Sequence, residues 1–214
     1  MMLNASGREV TEVRVGSTPI EQVFTGGTEV WRRLHNWAQT NQTQTITTPT
    51  WAAYVDIVCL GGGGGGGGGS GASPTAGTGG EAGQWKTATW YARPTENLIV
   101  TIGQGGAGGA KEKTGTAGGA TTVIPSTRDL KCEAPGGAGG AGAVGLSGTG
   151  NPGATPGTQT FWDTPFAGGA ESAVNKPGNA PGGGGGPGSG GAFSLGVPGK
   201  NGAAGRVWYR FRSY

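Results

Sequence analysis

The sequence predicts an all-β chain with glycine-rich, polyproline II-like helices and no α-helices. A small N-terminal β-meander is expected over residues 1–35, a linker and first strand over 36–50, and a β-sheet/polyglycine-helix domain over 51–214. The first observation behind this is a junction: the apolar run Tyr54-Val55-Asp56-Ile57-Val58-Cys59-Leu60 passes directly into nine consecutive glycines, Gly61 to Gly69. Glycine loses more backbone freedom on folding than any other residue and buries no side chain, so an ordered tract must recover that cost through close backbone packing. A polyproline II chain turns about every three residues and makes no internal hydrogen bonds, which leaves its N–H and C=O groups free for neighbouring chains.

The second observation is a three-residue glycine register. Gly136, Gly139, Gly142, Gly145 and Gly148 form one series, Gly182, Gly185, Gly188 and Gly191 another, and Gly196, Gly199, Gly202 and Gly205 a third. Shorter matches occur at Gly77, Gly80, Gly83 and at Gly103, Gly106, Gly109. Each series would line one edge of a helix with three residues per turn, and the register favours packing over a flexible low-complexity tail. Collagen fails on length, because the longest strict run spans only Gly136 to Gly148. The third observation is that no segment carries the periodicity of an amphipathic α-helix.

Taken in order, Glu9 to Val15, Ile20 to Phe24 and Glu29 to Trp31 read as short antiparallel strands, with turns at Gly16 to Pro19 and Thr25 to Thr28. So small a meander buries little and suits a docking element, for which Val13, Val15, Ile20, Phe24, Val30 and Trp31 are the candidate contacts. Thr43, Thr45 and Thr47 share one strand face, with Ile46 on the other. Trp51 to Leu60 is expected to be the central strand of the larger domain. Further strands are predicted at Gln84–Tyr91, Asn97–Ile102, Ala120–Ile124, Asp129–Glu133 and Arg206–Phe211, each beside a glycine tract. In the last of these, Arg206, Trp208, Arg210 and Arg212 alternate with Val207, Tyr209 and Phe211. The apolar face should pack on a sheet, and the Arg/Trp face should be open or stacked by cation–π contact.

With 33% hydrophobic residues, any apolar core must be small, and backbone hydrogen bonding has to carry part of the fold. A net charge of +3 with only 13% charged residues argues against a phosphate-binding stripe for nucleic acid. The start, Met1-Met2-Leu3-Asn4-Ala5-Ser6, lacks the basic and apolar regions of a signal peptide, and no long apolar run would insert in a membrane, so a soluble product made in the cytoplasm is expected. Cys59 and Cys132 share strand parity with apolar neighbours, Cys59 with Val55 and Ile57, Cys132 with Leu130 and Ala134. Both are expected to be buried, as free thiols in preference to the alternative of a disulfide between them.

The chemistry-bearing motifs are few. Gly103-Gln104-Gly105-Gly106-Ala107-Gly108 fits G-x-G-x-x-G after a strand, but the continuation, Lys111 to Gly119, is too glycine-rich and short to be the helix a dinucleotide needs. No cofactor is expected. Two cysteines and the lone His35 do not make a zinc site, no nucleophile context points to an enzyme, and His35 reads as a solvated linker residue. Lys111-Glu112-Lys113 reads as a solvated charged turn. Phe161-Trp162-Asp163-Thr164-Pro165-Phe166 places three aromatics amid glycine, proline and threonine. Phe161, Trp162, Asp163 and Phe166 are therefore candidates for receptor contact, with a cap sealing the glycine array as the equal alternative.

The segment from Val13-Arg14-Val15-Gly16-Ser17 through Val23-Phe24-Thr25-Gly26-Gly27-Thr28-Glu29-Val30-Trp31 resembles the short N-terminal module of minor tail proteins from tailed phages of actinobacteria. Trp51 to Leu60 with Gly61 to Gly69, Gly83-Gln84-Trp85, Val100-Thr101-Ile102-Gly103 and Gly205-Arg206-Val207-Trp208 are similar to the glycine-rich domain of the same proteins. This resemblance implies a non-enzymatic virion protein of the tail tip or a tail fibre, made in the host cytoplasm. It would associate with other tail proteins and with itself, as a trimer, and contact a host-envelope glycan, with no nucleic acid bound. Phage adhesins with glycine-helix sandwiches display loops at one end of the array, which by analogy points to the aromatic loop. A non-adhesive tail or capsid decoration and an ice-binding glycine-helix protein are the alternatives.

Overall fold

Strands of this chain repeatedly abut glycine segments, and that junction organises the fold. The computed structural model describes residues 4–5, 8–9, 13–15, 18–20, 22–25, 28–32, 36–191 and 195–212, and these contain strands but no helix. In the N-terminal stretch β1 (Asn4–Ala5) pairs with β2 (Arg8–Glu9), β3 (Val13–Val15) with β4 (Thr18–Ile20), and β5 (Gln22–Thr25) with β6 (Thr28–Arg32), all antiparallel. The expected single strand from Ile20 to Phe24 is thus divided between β4 and β5. The turn expected at Gly16 to Pro19 is tighter than that, because Thr18 and Pro19 already pair with Val15 and Arg14. A proline is tolerated there because a two-stranded pairing leaves one strand edge free of ladder bonds.

The remaining strands are β7 (Ala38–Thr40), β8 (Gln44–Thr47), β9 (Tyr54–Leu60), β10 (Trp85–Tyr91), β11 (Asn97–Thr101), β12 (Thr121–Pro125), β13 (Cys132–Ala134), β14 (Thr158–Phe161), β15 (Thr164–Ala167) and β16 (Arg206–Arg212). They form two four-stranded antiparallel sheets, ordered β10-β9-β16-β7 and β13-β12-β11-β8, and the hairpin β14-β15. Strand alternation then builds a sandwich: Val55, Ile57, Cys59 and Val207 of the first sheet share one buried cluster with Leu98, Val100, Val123, Cys132 and Ala134 of the second. Tyr209 and Phe211 pack against the same cluster from β16, as their parity requires. Leu130, expected to point inward with Cys132, lies before β13 and is exposed, because the strand starts later than its apolar residues suggest.

From the strand ends the chain runs out and back in glycine-rich segments, and their backbone bonds repeat every third residue. Gly61, Gly64 and Gly67 donate to Gln84, Glu81 and Thr78; Gly62, Gly65 and Gly68 to Gly119, Thr116 and Lys113; Gly63, Gly66 and Gly69 to Ala203, Lys200 and Val197, all at 2.8–3.0 Å. The carbonyls of the same tract accept from three other segments. Gly137, Gly140 and Ala143 bond Gly62, Gly65 and Gly68; Gly106, Gly109 and Glu112 bond Gly63, Gly66 and Gly69; Gly185 and Gly188 bond Gly64 and Gly67. The central tract therefore lies inside six neighbours, giving its N–H groups to three antiparallel segments and its C=O groups to three parallel ones.

The six neighbours also bond each other in a closed ring. Glu81 donates to Ala138, Gly118 to Gly137, Thr116 to Ala107, Gly202 to Gly106, Ala203 to Gly183 and Gly80 to Gly185, which returns to the first segment. A methyl group has no room inside: a Cβ on Gly65 would overlap the backbone carbonyl of Ala107, and one on Gly64 that of Ala138. The fingerprint-like glycines serve this packing too, since a Cβ on Gly105 or Gly108 would strike the carbonyl of Gly202 or Gly199. The series starting at Gly136 stops sooner than its register suggests. Gly145 has φ +57° with nothing nearby, because the chain turns there through Val144 and Ser147.

Substituting Gly65 by Ala should therefore destabilise the protein by about 4 kcal/mol or prevent folding, since the obstructing atoms are backbone and cannot rotate away. Gly139→Val, which meets the Gly115 carbonyl, should act similarly, whereas Ala141→Val, at an exposed position of the same segment, should stay within about 0.5 kcal/mol of wild type. Thermal melts of the three variants check this, and matching midpoints for Gly139→Val and Ala141→Val would refute the packed ring.

Candidate functional site

Strand parity divides β16 into two faces, and the outer one carries Arg206, Trp208, Arg210 and Arg212. Directly opposite on β9 stand Leu60, Val58, Asp56 and Tyr54, and opposite those on β10 stand Trp85, Thr87, Thr89 and Tyr91. Asp56 is the one acid in an otherwise apolar strand and is fully buried. A buried carboxylate is tolerable only when its oxygens are saturated with donors. Arg210 supplies Nε and Nη2 at 3.1 and 2.9 Å, Arg212 supplies Nε and Nη2 at 2.7 and 3.1 Å, and the Thr89 hydroxyl donates at 2.8 Å. Burial pushes the Asp56 pKa up, but the bonds from Arg212, Thr89 and Arg210 with the Arg212 charge outweigh it and hold the group below its ordinary value.

Thus fixed, the guanidinium groups become flat supports for aromatic rings. Arg210 lies 4.7 Å from the Trp37 ring centre, and Arg212 lies between Tyr54 at 4.9 Å and Trp162 at 5.1 Å. The Arg/Trp face predicted on β16 is stacked, not open. The hairpin β14-β15 lies over this face. Its inward residues Phe161 and Phe166 meet Trp37 at 6.2 and 4.9 Å, Phe166 meets Trp208 at 5.4 Å, and Trp208 stacks on Trp85 at 5.5 Å. Trp85 is tied down by its Nε1, which donates to the Pro156 carbonyl at 2.8 Å.

The hairpin turn is Trp162-Asp163, and both residues have positive φ, +47° and +55°. Two-residue hairpin turns want this conformation, but normally from Asn or Gly; a bulky Trp held there is strained by about 1–3 kcal/mol. Trp162 nevertheless stays 54% exposed. Beyond it on the same face, Tyr91 is 72% exposed and packs 4.9 Å from Tyr54. The outer edge of the site is therefore a row of aromatics in which Trp162 and Tyr54 stand on Arg212, itself anchored by Asp56, and Tyr91 packs on Tyr54.

The four candidate contact residues are close together but not alike. Trp162 and Asp163 are exposed, Phe161 is half-buried, and Phe166 is only 4% exposed, so a surface role for Phe166 is corrected to that of an underlying prop. The sequence pattern of this segment fits neither strand nor glycine tract; it is a β-hairpin, and Pro165 fits because it points outward from an isolated pair. It also packs on the sheet rather than among the loops beyond Gly69, where Val144, Leu146 and Leu195 are exposed. Lys111-Glu112-Lys113 does more than turn: Glu112 accepts the Gly71 N–H at 2.8 Å and so closes that far end. Of the docking candidates, Val13 pairs with Ile20, Val15 is exposed on β3, Phe24 pairs with Glu29, and Trp31 pairs with Val23 beside a register shift next to Val30. His35 lies outside the described residues.

Sequence pattern alone does not mark Trp37, Tyr54, Tyr91 and Asp56 as site residues. Only Asp56 leaves a trace, as an acid interrupting Tyr54 to Leu60. Residues 39–212 match the family model of a glycine-rich domain, and the chain belongs to that family. No curated protein matches the chain.

The lowered Asp56 pKa makes stability acid-sensitive. Its contribution is complete above the unfolded value of about 3.9 and is lost as pH falls through the lower folded value. The melting temperature should therefore fall below about pH 4. Asp56→Asn should destabilise the protein by about 3 kcal/mol at pH 7 and flatten the acid arm, leaving the part due to the Arg128-paired Glu96, whose pKa is also lowered. Melts across about pH 2.5–7 would measure both.

Proposed function

We propose that this chain is a non-enzymatic structural protein of a phage tail tip or tail fibre, with its glycine segments coiled as packed polyproline II-type helices. Residues 1–35 attach it to other tail proteins, as a trimer about the tail axis, and the outer aromatic face contacts a host-envelope glycan. The period of three in the backbone bonds supports the helices, since a polyproline II chain presents one residue to each neighbour per turn. The resemblance of Val13 to Trp31 and of the Leu60-Gly61 junction to actinobacteriophage minor tail proteins supports the virion reading.

The observation that carries the contact surface is Trp162, a bulky residue held at positive φ, exposed, and stacked on a guanidinium that a buried carboxylate fixes. Strain held in place by its surroundings marks positions where geometry is put to use. A rigid exposed ring binds the apolar face of a sugar with little loss of side-chain freedom. The buried half of the cluster, Phe161 and Phe166, favours a second reading as pure structure, in which the protein decorates the tail or capsid without adhering.

Trp162→Ala should weaken adsorption to host cells by roughly 2 kcal/mol, about thirtyfold, while leaving the melting temperature within a few degrees of wild type. Unchanged adsorption with a large loss of stability assigns the hairpin to structure and the protein to decoration. Removal of residues 1–35 should leave the glycine-rich domain folded and monomeric but absent from purified particles, and its presence there would overturn the docking role.

A further inference from the structure

The two cysteines are fully buried in the one cluster that spans both sheets, Cys59 from β9 and Cys132 from β13. Lys86 is the direct cross-strand partner of Cys59, and the Cys132 sulfur lies 3.9 Å from the Lys86 carbonyl oxygen, which brings Cys132 against the position Cys59 occupies. The strands that carry the two thiols also pack on each other, β13 lying against both β9 and β10.

We propose that Cys59 and Cys132 are a disulfide site, which on oxidation clamps the two sheets together at the root of the glycine array. Cys59 precedes Gly61 by two residues, and Cys132 leads through Ala134 and Pro135 into the segment whose Gly137 N–H bonds the Gly62 carbonyl at 2.9 Å. The bond would fix the register at which these two segments start side by side. The oxidant is a low-molecular-weight disulfide such as oxidised glutathione. The Cys132 thiolate attacks one of its sulfurs and expels one glutathione thiolate; Cys59 gives up its proton and attacks the Cys132 sulfur, expelling the second. The protein loses two hydrogens and two molecules of reduced glutathione form.

Cys132 is the attacking thiol because it sits on β13, three residues long and at the edge of its sheet, which is where local opening admits a reagent most easily.

The full chain, reduced, should be incubated with oxidised glutathione and, in parallel, refolded from denaturant in a glutathione redox buffer. The expected product is a monomer lighter by two hydrogens, with no thiol open to alkylation after denaturation and a non-reducing peptide map joining the Cys59 and Cys132 peptides. Its melting temperature should rise by about 10 °C and return on reduction. Cys59→Ser and Cys132→Ser should each abolish the rise. Thiols that remain alkylatable after oxidative refolding, stable glutathione adducts, or disulfide-linked dimers would each overturn the assignment. The mass of the wild-type protein decides the matter even if a serine variant fails to fold.

Discussion

The fold depends on the pairing of one buried backbone with the segments around it. Unpaired N–H and C=O groups are expensive in a protein interior, and a tract without side chains offers nothing else to offset them. The tract from Gly61 to Gly69 solves this by sitting inside a ring whose members alternately accept from it and donate to it. That alternation is a geometric requirement: donors and acceptors leave the central chain in different directions at successive residues, with a period of three. The antiparallel and parallel neighbours result from it, and so does the order in which segments leave and rejoin the sheets. The sandwich provides strand ends in the right places, and its small apolar core needs to do little more.

Two kinds of interior thus meet at the Leu60-Gly61 junction. On the strand side, side chains interdigitate and hydrophobic burial dominates. On the glycine side, backbones touch and hydrogen bonds dominate. The outer face of the first sheet adds a third kind, in which Asp56 holds two guanidinium groups flat and rings stack on them. Each arrangement is intolerant of a different substitution, which explains how 33% hydrophobic residues suffice for a chain of this length.

Much of the architecture is legible in the sequence because strands and glycines differ so sharply in composition. The strand at Tyr54 to Leu60 and its central place, the alternating faces of β16, and the burial of Cys59 and Cys132 all follow from parity. Pairing at a distance leaves no such mark. β7 has only Ala38, Gln39 and Thr40, too few residues for a pattern, and exists because β16 offers it an edge. The hairpin at Thr158 to Ala167 hides behind Pro165 and a Trp-Asp turn that no turn preference favours. The aromatic site is half visible: Phe161 to Phe166 stand together in sequence, whereas Tyr54, Tyr91 and Trp37 join them only through sheet register.

The ring also imposes a timetable on the growing chain. The segment that must be enclosed is made early, but its last partners, around Val197 to Ala203, and the strand that closes the first sheet come at the far end of the chain. At ordinary rates of synthesis the glycine tract would wait on the order of ten seconds, solvated and unpaired, before its enclosure could be completed. Nearly all its bonds span long sequence distances, which makes folding slow as well as late. A bare run of glycine is well suited to that wait, because it offers water-soluble backbone and no sticky side chain to neighbouring chains in the meantime.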